Sequence, residues 1–181
     1  MSLLKGGYVK YTMITLALVA PVLGVILMSR KPKNVRNKNP LNIEKGADWK
    51  GLELIQNDAR FAQFKSPEWG FRAGYIILLQ YLERGDNNLQ RIINKWAPSG
   101  TDDNNHTDNY IGYIADKVQL SPVELVTATM LPEIMLHMSN FEGAKGAFNI
   151  EQTRQGEQLA QQESFVISRL QRLDLKNGVF A

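Results

Sequence analysis

Between Lys10 and Arg30 the chain carries no charge, and this run, Tyr11–Ser29, restricts the possible folds more than any other feature. As a helix its 19 residues reach about 28 Å, close to the hydrocarbon thickness of a bilayer. In lipid every backbone amide must be satisfied within the segment, so a spanning run has to be helical. Pro21 and Gly24 are tolerated in such a helix, and Tyr8 and Tyr11 lie where an interfacial aromatic belt falls. A cleaved signal peptide fits less well, because Ala20 is followed by Pro21 and preceded two residues earlier by Leu18. A buried soluble helix would normally show a polar face, and the run offers little beyond Thr and Ser. The sequence thus predicts a single-pass membrane protein, with residues 1–10 as a tail and residues 11–29 as a transmembrane helix.

Five basic residues, Arg30, Lys31, Lys33, Arg36 and Lys38, follow the run, against Lys5 and Lys10 before it. Such a flank suits lipid headgroup phosphates better than a nucleic-acid backbone, so a bilayer is the expected partner and no specific nucleic acid is. The same asymmetry puts the following domain on the cytoplasmic side, or on the equivalent face of a virion membrane. The formal charge of +3 is otherwise modest, and the absence of cysteine excludes disulfides and thiolate metal sites.

Residues 30–48 are basic, rich in Asn and broken by Pro32, Pro40 and Gly46, which predicts a linker running into the domain edge. Helical signals fill residues 49–148. Ser66-Pro67-Glu68 supplies a cap, a proline at the first position and an early acid, and Phe71, Tyr75, Leu78, Leu79 and Leu82 then share one face up to Gly85. Asn87 or Asn88 caps a helix bearing Leu89, Ile92, Ile93 and Trp96, and Thr107 starts one bearing Tyr110, Ile111, Ile114 and Val118. Ser121-Pro122-Val123-Glu124 reads as a capping box opening a fourth helix, with Pro132 breaking it and starting a fifth. Arg60–Phe64 is a candidate short strand. Residues 149–181 read as a C-terminal amphipathic helix and tail, whose narrow stripe of Leu159, Val166, Leu170 and Leu173 predicts contact with a partner or a second copy. The expected class is mainly α: one transmembrane helix, a compact helical domain of lysozyme-like or related architecture, and the terminal helix.

Chemistry is thinly signposted. His106 and His137 have no ligand partner at helical spacing, so no metal or other cofactor is expected. Carboxylates remain. Glu68, between Pro67 and Trp69, has the apolar setting that a glycosidase acid needs, although a place in the first helical turn explains an acid equally well. Asp102, Asp103, Asp108 and Glu133 have similarly ordinary explanations as loop or helix-start acids. Trp49, Trp69 and Trp96 are candidate walls of a sugar groove or plain core.

The middle of the chain resembles a family of phage and prophage virion proteins. Arg36-Asn37-Lys38-Asn39-Pro40-Leu41-Asn42-Ile43 matches its R-N-x-N-P-x-N-I opening, and Phe61, Phe64 and Pro67-Glu68-Trp69-Gly70-Phe71-Arg72-Ala73 match its F-x-x-F…P-E-x-G-x-R-A stretch. The likeness runs on through Tyr81–Gly85, Ile92–Pro98 and Thr107–Ile111, over about residues 36–140. It implies a virion structural role, with peptidoglycan binding or local cleavage during infection. A muralytic enzyme of lysozyme or transglycosylase type acting in lysis, and an assembly adaptor without a ligand, are the alternatives. Asn37, Asn39 and Asn42, whose amides both donate and accept hydrogen bonds, are candidate sugar contacts together with Trp69 and Trp96. The chain departs from the family's His-Glu-Asn-Gly: His137 is followed by Met138-Ser139-Asn140, so that glutamate is lost unless Glu142 replaces it after a shift.

Overall fold

The computed structural model of the chain describes residues 31–98 and 107–176. The chain divides into two units, Met1–Pro32 and Lys33–Ala181, and the second holds all but two of the described residues. Its described residues form seven α-helices: α1 (Lys33–Arg36), α2 (Pro67–Glu83), α3 (Leu89–Trp96), α4 (Thr107–Val118), α5 (Leu131–Glu142), α6 (Ile150–Gln161) and α7 (Ser164–Lys176). A single 3-10 turn, Ala128–Met130, leads into α5. No strand forms among them. Arg60–Phe64 instead makes two isolated bridges, Glu44 with Phe61 and Leu52 with Phe64.

The mainly α expectation stands, but its membrane-spanning part requires correction. No helix among the described residues is long and apolar enough to cross a membrane. The longest, α2, has 17 residues and includes Glu68, Arg72 and Glu83. A span needs about 20 predominantly apolar residues. The transmembrane helix and the single-pass localisation are therefore not carried forward, and Tyr11–Ser29, on which both rested, lies outside the described residues. Of the expected membrane flank, Arg30 also lies outside them and Lys31 is exposed. Lys33 and Arg36 belong to α1, and Lys38 reaches Glu53 and the Lys65 carbonyl, both at 2.9 Å.

Helix α2 is the centre of the domain. The predicted face is buried, and so are Gly70, Arg72, Ala73, Gly74 and Ile76, so the helix is covered on nearly every side. It packs chiefly on α6, and also on α5 and α7. The α2–α6 approach is close because Gly156 has no side chain: a Cβ there would lie 2.5 Å from Phe71 Cβ and 2.9 Å from the Arg72 amide nitrogen. The C-terminal segment is thus two helices inside the fold rather than one outlying stripe. Val166 and Leu173 are buried, and Leu159 and Leu170 half-buried. Its attachment is also ionic: Glu163, at the α6–α7 junction, meets Arg72 at 2.7 Å and Lys50 at 2.6 Å. These two cations hold its carboxyl below the usual range, Lys50 contributing most. Arg172 and Arg169 of α7 do the same for Glu83.

Ser121–Glu124 does not open a helix. In a helix the Val126 amide would donate to the Pro122 carbonyl. Here Val126 donates to the Asn87 carbonyl at 2.8 Å, and Pro122 accepts from the Gln90 amide at 2.9 Å. The segment is tied to the start of α3, and its helical bonds are spent there.

Candidate functional site

The Asn-rich stretch expected to be a linker is built into the core. Asn34, Asn37, Asn39, Leu41 and Ile43 are all buried. The Asn39 amide donates to the Ile43 and Ala62 carbonyls, both at 2.8 Å, and its oxygen accepts from the Ile43 amide at 2.9 Å. A buried amide that makes three bonds to backbone holds two loops together and has little left for a ligand. Asn37 donates to Asp58 at 3.0 Å, and the other oxygen of Asp58 accepts from the Arg60 and Phe61 amides. Those bonds, led by the Phe61 amide and the Asn37 side chain, pull the Asp58 carboxyl down to about 2. They fix the turn that carries Arg60 and Phe61.

Arg60 and Phe61 edge an open groove of about 760 Å³. It is lined by Leu41, Asn42, Ile43 and Glu44 of the Asn-rich loop, by Ile77 and Tyr81 of α2, and by Trp96, Ala97 and Pro98 at the end of α3. Phe141 and Glu142, the last two residues of α5, complete it. The Thr107 hydroxyl at the start of α4 donates to the Ala97 carbonyl at 2.7 Å and so ties down the end of α3 that lines the groove.

Glu142 is the chemical centre of this groove. Its Oε1 accepts from the Trp96 indole and from the Tyr110 hydroxyl, each at 3.2 Å. Its Oε2 accepts from the Asn42 amide at 3.1 Å. Tyr110 is fully buried and stacks on Phe141 at 4.0 Å between centroids. Burial pushes the Tyr110 phenol well up, and the neighbouring Glu142 charge adds to the effect, so the hydroxyl stays a donor. One carboxylate therefore gathers donors from the Asn-rich loop, α3 and α4.

The structure separates the other predicted residues from this place. Glu68 is half-buried in the first turn of α2 and Trp69 packs against Gly51 and the Arg72 guanidinium; neither lines the groove. Trp96 and Asn42 do line it, whereas Asn37 and Asn39 are buried and do not. Sequence reasoning passed over Tyr110 and gave Glu142 only as a shifted substitute. The available signal was the pairing of an acid with Gly143 after an aromatic residue, at the end of a helix begun by Pro132.

A second, smaller cavity of about 440 Å³ lies between α5 and α6, lined by Glu133, His137, Arg154 and Glu157 among others. Burial lowers the affinity of His137 for its second proton and raises the Glu157 carboxyl. Among the described residues no three His, Cys, Asp or Glu side chains are placed to hold a metal ion. His106, Asp102 and Asp103 lie outside the described residues.

The described residues thus form a mainly helical domain with an aromatic-lined groove that holds the Glu142 carboxylate. Over 146 residues the chain is 30% identical to Protein P5 of Pseudoalteromonas phage PM2, covering 76% of this chain and 89% of that protein. The chain belongs to that phage protein family. No family model matches it.

Proposed function

We propose that the chain is a structural protein of a phage particle that engages host peptidoglycan through the Trp96–Glu142 groove and cuts its glycan there. The observation that carries this reading is the placement of Glu142 in an open cleft beside Trp96, Phe141, Tyr81 and Phe61. Flat aromatic faces stack on sugar rings, and a small number of fixed polar groups among apolar walls is the usual form of a ligand site. A carboxyl held beside the scissile bond is what glycoside cleavage requires. Glu142 is the carboxyl placed for that part; Glu68, outside the groove, is not.

An assembly role within the particle is compatible with this and rests on a separate observation. Leu54 and Ile55 are 97% and 71% exposed at the tip of the loop between Glu44 and Arg60, a place suited to contact with another particle protein.

Co-sedimentation with purified, insoluble peptidoglycan tests the groove. The full chain is expected to pellet with it, and Trp96→Ala to bind about tenfold more weakly, a loss of about 1.4 kcal/mol. Equal pelleting of both proteins would remove the groove from the account.

A further inference from the structure

We propose that Asn42 is a positioning residue, which sets the Glu142 carboxylate against Trp96 and so makes the Asn-rich loop part of the working groove. This rests on reading the groove as a peptidoglycan site.

The argument begins with the double contact. Asn42 Nδ2 donates to the Glu142 carbonyl and to Glu142 Oε2, both at 3.1 Å. One amide thus fixes backbone and side chain of the same residue at the last turn of α5, where helix ends fray most readily. Asn42 sustains two local costs in doing so. Its φ is +48°, a left-handed conformation at a residue other than glycine. Its Oδ1 is buried and has no hydrogen-bond partner. Turning the amide over would set that oxygen against the Glu142 carboxylate and carbonyl, so the two acceptors of Glu142 dictate which way it faces. Strain and an unpaired polar atom at one residue, beside the groove's central carboxylate, are what a geometry kept for function looks like. Asn39, three residues earlier, makes a contrast: all its amide bonds are satisfied by backbone, and it bears no comparable cost.

The test uses Asn42→Gly in the full chain, because glycine keeps the left-handed backbone and removes only the amide. Two readouts are taken. The first is the indole N–H resonance of Trp96, assigned with Trp96→Phe, which reports whether Glu142 still accepts its hydrogen bond. The second is binding and cleavage of peptidoglycan. The expected result is a displaced Trp96 resonance with those of Trp49 and Trp69 in place, and a loss of cleavage of about 10²-fold, as for a reacting group misplaced by roughly 1 Å. An unmoved Trp96 resonance would overturn the inference, and so would a displaced one with full cleavage. If the wild-type chain neither binds nor cleaves peptidoglycan, the reading of the groove fails, and the Trp96 resonance alone decides whether Asn42 positions Glu142. Should Asn42→Gly not fold, Asn42→Asp, which puts an acceptor where the donor was, is read in the same two ways.

Discussion

Single residues in this domain do work that their types do not announce. Asn39 satisfies two carbonyls and an amide in the core, so Asn39→Ala strands buried backbone groups and is expected to cost about 2–4 kcal/mol in denaturant unfolding. Asn39→Asp should cost more, because a carboxylate would face the Ile43 and Ala62 carbonyls. Asp58 offers a test in pH. Its folded pKa, about 2, lies below the ordinary 3.8, so its contribution to stability is present above about pH 3.8 and is lost as pH falls through 2. Urea midpoints measured from pH 5 down to 2 should fall less steeply in Asp58→Asn than in the wild type. The sequence shows asparagines clustered at 34, 37, 39 and 42, and their capacity to donate and accept is legible there. Which amide meets backbone, which meets Asp58 and which meets Glu142 depends on loops brought together over as many as 100 residues of chain, and no local pattern encodes that.

Helices whose start signals are local and unopposed were legible. Ser66-Pro67 opens α2, Asn88 caps α3 through the Arg91 amide at 2.9 Å, and Pro132 lies in the first turn of α5. The helix expected at Ser121 was lost to tertiary bonds with Asn87 and Gln90, which outbid an otherwise good local signal. The break between α6 and α7 was invisible because neither Gly nor Pro marks it; Glu163 and its two cationic partners do. The narrow stripe there suggested a partner helix, but α6 is the chief neighbour of α2. Truncation after Phe148 would expose Phe71 and its neighbours on α2, and is expected to abolish cooperative melting. Survival of a sharp transition would show that α6 and α7 are dispensable. Gly156→Leu is a gentler version: it forces a side chain into the α2 backbone and should cost about 1–3 kcal/mol by overpacking.

At the scale of the whole molecule, helical class and phage family follow from pattern and likeness, while the site emerges only from assembly. The groove draws its parts from residues 33, 41–44, 60–61, 77, 81, 96–98 and 141–142. The sequence pointed to Glu68 because an acid between Pro and Trp is conspicuous locally; Glu142 becomes conspicuous only when Trp96, Tyr110 and Asn42 converge on it. The most direct measurement is release of soluble muropeptides from purified peptidoglycan by the full chain, Glu142→Gln and Glu68→Gln, each checked for cooperative melting. The account predicts release by the wild type and by Glu68→Gln, and a fall of about 10²-fold or more in Glu142→Gln. Undiminished release by a folded Glu142→Gln chain would contradict it.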